Sequence, residues 1–258
     1  MRKIPFEYMD LWKLMDVLHK KQLIMNPIRS SKLDRFCDTL GLPFASRVLD
    51  VGCGKGEFLL RLNKRYSVSG IGIDKSPYCI RDAKENKDTR APEADIQFLL
   101  MDGADYTTDE VFDLTCCIGA SWIYGGIKGT LRALYDFTKP GGMIIVGEPY
   151  WIKEPPKEYL DADELRKEDF HSHIENVLIG DDLGLTCIHT LASDTEDWDF
   201  YETLHWWAVS EYAESNPEDP DLSEILRSNE KSKQTYLKWG RDTMGWCMYV
   251  YRKPHRFL

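Results

Sequence analysis

Asp50, Asp74 and Asp102 stand at the ends of three short apolar runs, VLD, GIGID and FLLMD. Between the first acid and a helical pattern lie Gly52, Gly54 and Gly56, in the stretch VLDVGCGKGEF. Glycines in such a strand–turn–helix let the backbone approach a ligand with no Cβ in the way, and the helix that follows offers free N–H groups. An acid ending the second run can take both hydroxyls of a ribose. One ending the third can accept from an adenine amino group. Taken singly, Asp50 or Asp74 could merely cap the next helix. Three acids behind one glycine turn point to a nucleoside site.

The surrounding charges narrow the ligand. A dinucleotide fingerprint G-x-G-x-x-G would place its third glycine at position 57, where this chain has Glu57. A carboxylate there suits the helix dipole but competes with a pyrophosphate for the same N–H groups. Asp50 adds further negative charge. A ligand with ribose, adenine, a net positive charge and no phosphate therefore fits better than NAD, and S-adenosylmethionine is such a ligand. A nicotinamide oxidoreductase remains the weaker reading.

The elements that must position these residues alternate. Strands are expected at 47–51, 68–73, 96–101, 114–118 and 143–146, with helices at 57–65, 77–86 and 128–138. That order predicts parallel strands with crossover helices, hence a doubly wound α/β sheet. KPGG at 139–142 reads as a stop and turn before the fifth strand, and 107–112 is too short for a full crossover helix. Later come a helix at 172–182, strands at 185–191 and 245–252, and between those strands helices at 200–213 and 222–241. Upstream, helices are expected at 9–19 and 32–40, so residues 1–45 and the insertion 194–244 are candidate caps on one domain spanning 1–258. Long insertions in compact domains are usually lids or binding elements.

Composition excludes several classes. A net charge of −10 disfavours a partner held through its phosphates. No apolar run approaches the roughly 18 residues of a membrane helix, and the basic opening MRKIPFEYMDLWK lacks the apolar core of a signal peptide. Seven cysteines, an odd number, suggest reduced thiols in a cytoplasmic chain. Cys116 and Cys117 are adjacent on a strand and point to opposite faces, so they cannot share a metal. His171 and His173 lack a clear third ligand. No metal site is expected.

Residues 47–146 resemble a class I S-adenosylmethionine-dependent methyltransferase: VLDVGCGKG its first motif, GIGID its ribose acid, MDGA its adenine acid, and LYDFTKPGGMIIVGE its segment around strand five. The rest, with IGASWIYGG, GEPYW and LHWW, resembles small bacterial-type members of undefined substrate. The resemblance implies strand order 3-2-1-4-5-7-6 with strand seven antiparallel. It implies that Asp50, Gly52, Gly54 and Gly56 hold the methionine part, Asp74 the ribose, and Asp102 and Gly103 the adenine. The main chain of Ile118 would meet the methionine moiety. Cys53, Lys75 and Trp122 are expected to complete the cofactor site.

The acceptor is less legible. The motif D/N-P-P-Y of base-amino methyltransferases is replaced by IGAS at 118–121, and no Pro precedes a Cys as in cytosine-C5 enzymes. Only Cys53 is placed for arsenite. A small molecule is therefore expected, with RNA or protein as alternative acceptors and a non-catalytic binding module as a third reading. Around the acceptor, Ser121, Trp122 and Tyr124 follow strand four and Glu148, Tyr150 and Trp151 follow strand five. The insertion contributes Tyr201, His205, Trp206 and Trp207. These aromatics could cage a sulfonium. Glu148 is the first candidate for a general base, His205 the second, with Tyr150 beside them; positioning alone could also suffice.

Overall fold

The computed structural model describes residues 10–255. Residues 1–9, which include most of the basic opening and the first residue of the expected N-terminal helix, lie outside them. Seven strands form one sheet in the order β3-β2-β1-β4-β5-β7-β6. They are β1 (Arg47–Val51), β2 (Ser69–Asp74), β3 (Ile96–Leu100), β4 (Phe112–Ile118), β5 (Thr138–Trp151), β6 (Thr186–Ala192) and β7 (Met244–Arg252). β7 runs antiparallel to both β5 and β6, and the other pairs are parallel.

Helices α1 (Leu11–Leu18) and α2 (Ser30–Thr39) precede the sheet; α3 (Glu57–Tyr66), α4 (Pro77–Arg90) and α5 (Ile127–Phe137) are its crossovers. Leu33 and Phe36 of α2, Phe58 and Leu62 of α3 and Ile80 of α4 cover one face, against Val48, Leu114 and Ile145. Ile127, Leu131 and Leu134 of α5 cover the other, against Leu49, Ile144 and Val146. After β5 come α6 (Lys157–Asp163) and α7 (His173–Leu178). Between β6 and β7 lie α8 (Thr195–Ser215), α9 (Leu222–Thr235) and α10 (Arg241–Thr243), with a π-helical stretch at Tyr236–Gly240 before α10. Among the described residues no helix is long and apolar enough to cross a membrane.

Three expectations need correcting. KPGG does not end an element: β5 runs through it, with Gly141 at φ +79° and a register shift between the Phe112–Thr138 and Leu114–Met143 pairs. β5 is thus far longer than 143–146 and continues to Trp151. The helix expected over 172–182 stops at Leu178, because Gly180 packs against Leu185 and Tyr251 and a 3-10 turn follows at Asp181–Leu183.

Candidate active site

A cavity of about 240 Å³ opens at the carboxyl ends of β1, β2 and β4. Asp50, Gly52, Cys53 and Gly54 line it from the first strand and turn, Asp74 and Lys75 from the second. Asp102 and Gly103 follow β3, and Ile118 and Trp122 border the end of β4. The turn is tight for a reason. Gly52 sits at φ +73°, and a Cβ there would lie 2.5 Å from the Ala120 Cβ. Gly56, by contrast, is not a lining residue: it starts α3 at φ +75°, and a Cβ would lie 2.5 Å from Phe98. Its requirement is helix–sheet packing.

The three acids sit in different environments. Asp74 accepts from the Gly54 N–H at 2.9 Å and the Ser76 N–H at 2.8 Å, tying the glycine turn to the start of α4. Burial pushes its carboxyl above the usual range, against those backbone hydrogen bonds. Asp102 accepts from Lys75 Nζ at 2.7 Å and the Ala104 N–H at 3.0 Å, and the lysine holds it below that range. Asp50 is 2% exposed, and its Oδ1 has no hydrogen-bond partner among the described residues. Burial pushes its carboxyl up to about 7; the Cys116 thiol opposes this and the Asp74 charge adds to it. A buried carboxylate oxygen without a partner is a costly group unless a ligand completes it. Glu57 is spoken for: its carboxylate pairs with Arg61 at 2.7 Å and with Arg90.

The roof comes from α1, the segment 19–29 and α8. Trp12, Met15, His19, Met25 and Asn26 line the cavity from the first two, Tyr201 from the third. The segment is clasped to α8: Gln22 donates to the Tyr201 carbonyl at 2.8 Å and receives His205 Nε2 at 3.1 Å. Arg29 and Lys32 reach the side chain of Asp197, fully buried in the capping box of α8, each at 2.6 Å. Lys55 Nζ, from the glycine turn, donates to the His19 carbonyl at 2.9 Å.

His19 is the residue that motif reasoning missed. Its Nδ1 lies 2.9 Å from the Met15 carbonyl, which can only accept, so Nδ1 carries the proton. Nε2 then presents a lone pair, and the Tyr201 hydroxyl donates to it at 2.9 Å. Burial pushes the imidazole down to about 4, opposed by the Met15 hydrogen bond and reinforced by the Lys55 charge. The ring is neutral at physiological pH. The available signal was its place at the end of an amphipathic helix.

The expected catalytic groups are placed differently. Glu148 does not line the cavity. Because β5 continues past it, alternation puts Glu148 and Tyr150 on the face of Ile144 and Val146, under α5. Tyr150 packs there on His173, whose Nδ1 lies 3.0 Å from the Tyr249 hydroxyl. Burial pushes Glu148 up to about 7, with a hydrogen bond to Ser121 opposing. His205 is also outside the cofactor cavity. It meets Tyr201, one helical turn away, edge to face at 4.5 Å between ring centroids, and borders a second cavity. Trp206 borders that second cavity too, whereas Trp207 is 58% exposed beneath Lys21. Of the expected cage, Trp122 and Tyr201 face the cofactor cavity, joined by Trp12 and Trp246.

Residues 48–142 match the family model described as a methyltransferase domain. The chain is 29% identical to the uncharacterized protein YjhP of Escherichia coli K12, over 94% of this chain and 98% of that one. A methyltransferase structure from Geobacter sulfurreducens, in complex with S-adenosyl-L-homocysteine, superposes with a TM-score of 0.88 at 28% identity, covering 97% and 99% of the two chains. Its counterpart from Thiobacillus denitrificans, also in complex with S-adenosyl-L-homocysteine, is 30% identical over 94% of this chain and 99% of that one, with a TM-score of 0.87. The chain belongs to the S-adenosylmethionine-dependent methyltransferases. The observed strand order 3-2-1-4-5-7-6, with β7 antiparallel, is the one implied by the resemblance that the motifs carry. S-adenosylmethionine is the cofactor of this methyltransferase, and the donor set suits it: acids face the cavity where a phosphate-bearing ligand would need cations.

Proposed function

We propose that this methyltransferase acts on a small-molecule acceptor in a reducing, cytoplasmic setting. The observation that carries the reading is the roof. α1, the segment 19–29 and Tyr201 stand over the cavity, as a water-excluding site for a small acceptor needs. A polynucleotide or folded protein would need an open face beside the methyl group, and net charge −10 further disfavours the former. The seven cysteines are all unpaired, in keeping with that compartment.

S-adenosylmethionine, when bound, supplies a methyl group already activated on a sulfonium. The chain's own residues do the rest. Asp74 keeps lone pairs for ribose hydroxyls while holding the glycine turn, and Asp102, steadied by Lys75, accepts from the adenine amino group. Asp50 Oδ1 takes the amino-acid ammonium beside Gly52, Cys53, Gly54 and Ile118. Trp122, Trp12 and Tyr201 exclude water at the methyl end.

Calorimetry and an assay of S-adenosylhomocysteine release test this. S-adenosylhomocysteine should bind and NADP should not, and Asp74→Ala should weaken binding by about 1.5–3 kcal/mol, as for a hydrogen bond to a charged group. Pools of small metabolites should support release. Release driven instead by RNA or protein would overturn the acceptor class, and no turnover with any pool would leave a binding module.

A further inference from the structure

A second cavity, of about 310 Å³, lies between α1, α8 and α9, and shares Trp12, Met15, His19, Trp122 and Tyr201 with the cofactor cavity. Apolar surface predominates in it; its remaining lining adds Leu11, Leu14, Leu18 and Trp206 and, as polar groups, Glu202, His205 and three side chains of α9 that include Ser228 and Asn229. Two lining residues carry buried polar atoms with no partner among the described residues: Trp206 Nε1, a donor, and Asn229 Oδ1, an acceptor. Among the described residues no lysine or arginine borders the cavity, and the one carboxylate is Glu202. A buried anion would meet no lysine or arginine among these residues, and an unpaired buried anion is strongly disfavoured.

His19 and Tyr201, hydrogen-bonded to each other, border both cavities. The Met15 carbonyl fixes the His19 proton on Nδ1, so Tyr201 donates to Nε2. With its proton committed to Nε2 at 2.9 Å, a nearer acceptor than the Met25 carbonyl at 3.4 Å, the Tyr201 oxygen accepts from a donor beside it. It therefore selects a nucleophile that carries hydrogen.

Resting on the methyl-transfer reading above, we propose that this second cavity is the acceptor site, and that it takes an uncharged, mainly apolar molecule whose O–H or neutral N–H nucleophile donates to Tyr201. The acceptor's lone pair forms the new bond to the methyl carbon while the carbon–sulfur pair stays on sulfur. The acceptor's proton passes to the Tyr201 oxygen, and the tyrosine's own proton passes to His19 Nε2. One positive charge leaves the sulfur and one arrives on the imidazole; the ring, held down to about 4 by burial, then gives that proton up to solvent and returns to its neutral form. Trp206 Nε1 and Asn229 Oδ1 meet polar groups at the far end of the molecule.

The test uses the full chain saturated with S-adenosylhomocysteine, with 4-butylphenol as the neutral probe and 4-butylbenzoate as its anionic counterpart, read by ligand-detected NMR. The phenol should bind and the benzoate should bind at least about tenfold more weakly, the discrimination expected when a charge lacks a partner. Ser228→Phe, which fills the cavity from α9, should abolish phenol binding while calorimetric S-adenosylhomocysteine affinity stays within about twofold, as for a change away from that ligand. With S-adenosylmethionine and any neutral acceptor that turns over, Tyr201→Phe should lower kcat about a hundredfold or more with KM changed far less. Failure of the wild type to bind S-adenosylhomocysteine would overturn the methyl-transfer reading. With that binding intact, absence of phenol binding, equal binding of the benzoate, or phenol binding retained in Ser228→Phe would overturn the acceptor site alone.

Discussion

Asp50 and Glu148 carry the same ionisation behaviour for the same reason, burial, yet only one of them borders the cofactor cavity. That difference is measurable. A cationic ligand group at Asp50 needs the carboxylate, whose proton leaves at about pH 7 in the free protein. Affinity for S-adenosylhomocysteine should therefore be full above that pH and fall as pH drops through it, by up to about tenfold per unit. Calorimetry between pH 5.5 and 8.5, about three units across the transition, would read this together with proton release on binding. Asp50→Asn should flatten the profile. Glu148→Gln should leave it as it is, since Glu148 faces α5 from the other side of the sheet. A profile abolished by Glu148→Gln and kept by Asp50→Asn would reverse the assignment.

At the scale of elements, segment 19–29 is clasped to α8 by hydrogen bonds of the Gln22 and His19 side chains and by the Arg29 ion pair to the buried Asp197, which Lys32 of α2 shares. Gln22→Ala removes both of its hydrogen bonds, each worth about 0.5–1.5 kcal/mol. It should lower the melting temperature and speed S-adenosylhomocysteine release in stopped flow. Unchanged release with a lowered melting temperature would make the clasp structural only. None of this was visible in the sequence, because Gln22 and Tyr201 are brought together by tertiary packing and no local pattern marks them. The first three strands and the glycine turn were legible, since local periodicity and turn chemistry decide them. β5 was not: a glycine pair reads as a stop, but Lys139 to Gly142 stays in the strand as an irregularity in register. That misreading displaced Glu148. Counted as a residue beyond the strand, it faces the ligand; counted within a strand reaching Trp151, alternation sends it to the opposite face. His205 lies four residues and one turn beyond Tyr201 on the same helical stripe, which places it on the second cavity rather than the first.

Across the whole molecule, the roof has its own core. Leu14 and Val17 of α1 pack with Val209 of α8 and Ile225 of α9 in a cluster separate from the two that cover the sheet. A unit with a small core of its own, joined to the body by polar contacts such as Lys32–Asp197 and Arg81–Asp16, opens at lower cost than the sheet unfolds. Such an opening would admit the cofactor beneath Tyr201 and release the product, as lids commonly do. Hydrogen exchange by mass spectrometry distinguishes a moving roof from a fixed one. In the free protein, amides of α1 and of segment 19–29 should exchange well before those of β1, β4 and β5. At S-adenosylhomocysteine concentrations of 100 times Kd, binding to the closed form alone stabilises it by about 2.7 kcal/mol, or roughly a hundredfold in protection. That gain should appear in α1, segment 19–29 and the first half of α8 while α5 changes little, because α5 lies on the sheet face turned away from the cavity. A gain of the same size in every element would show instead that the roof opens only when the whole chain unfolds, and cofactor entry would then not be gated by the roof.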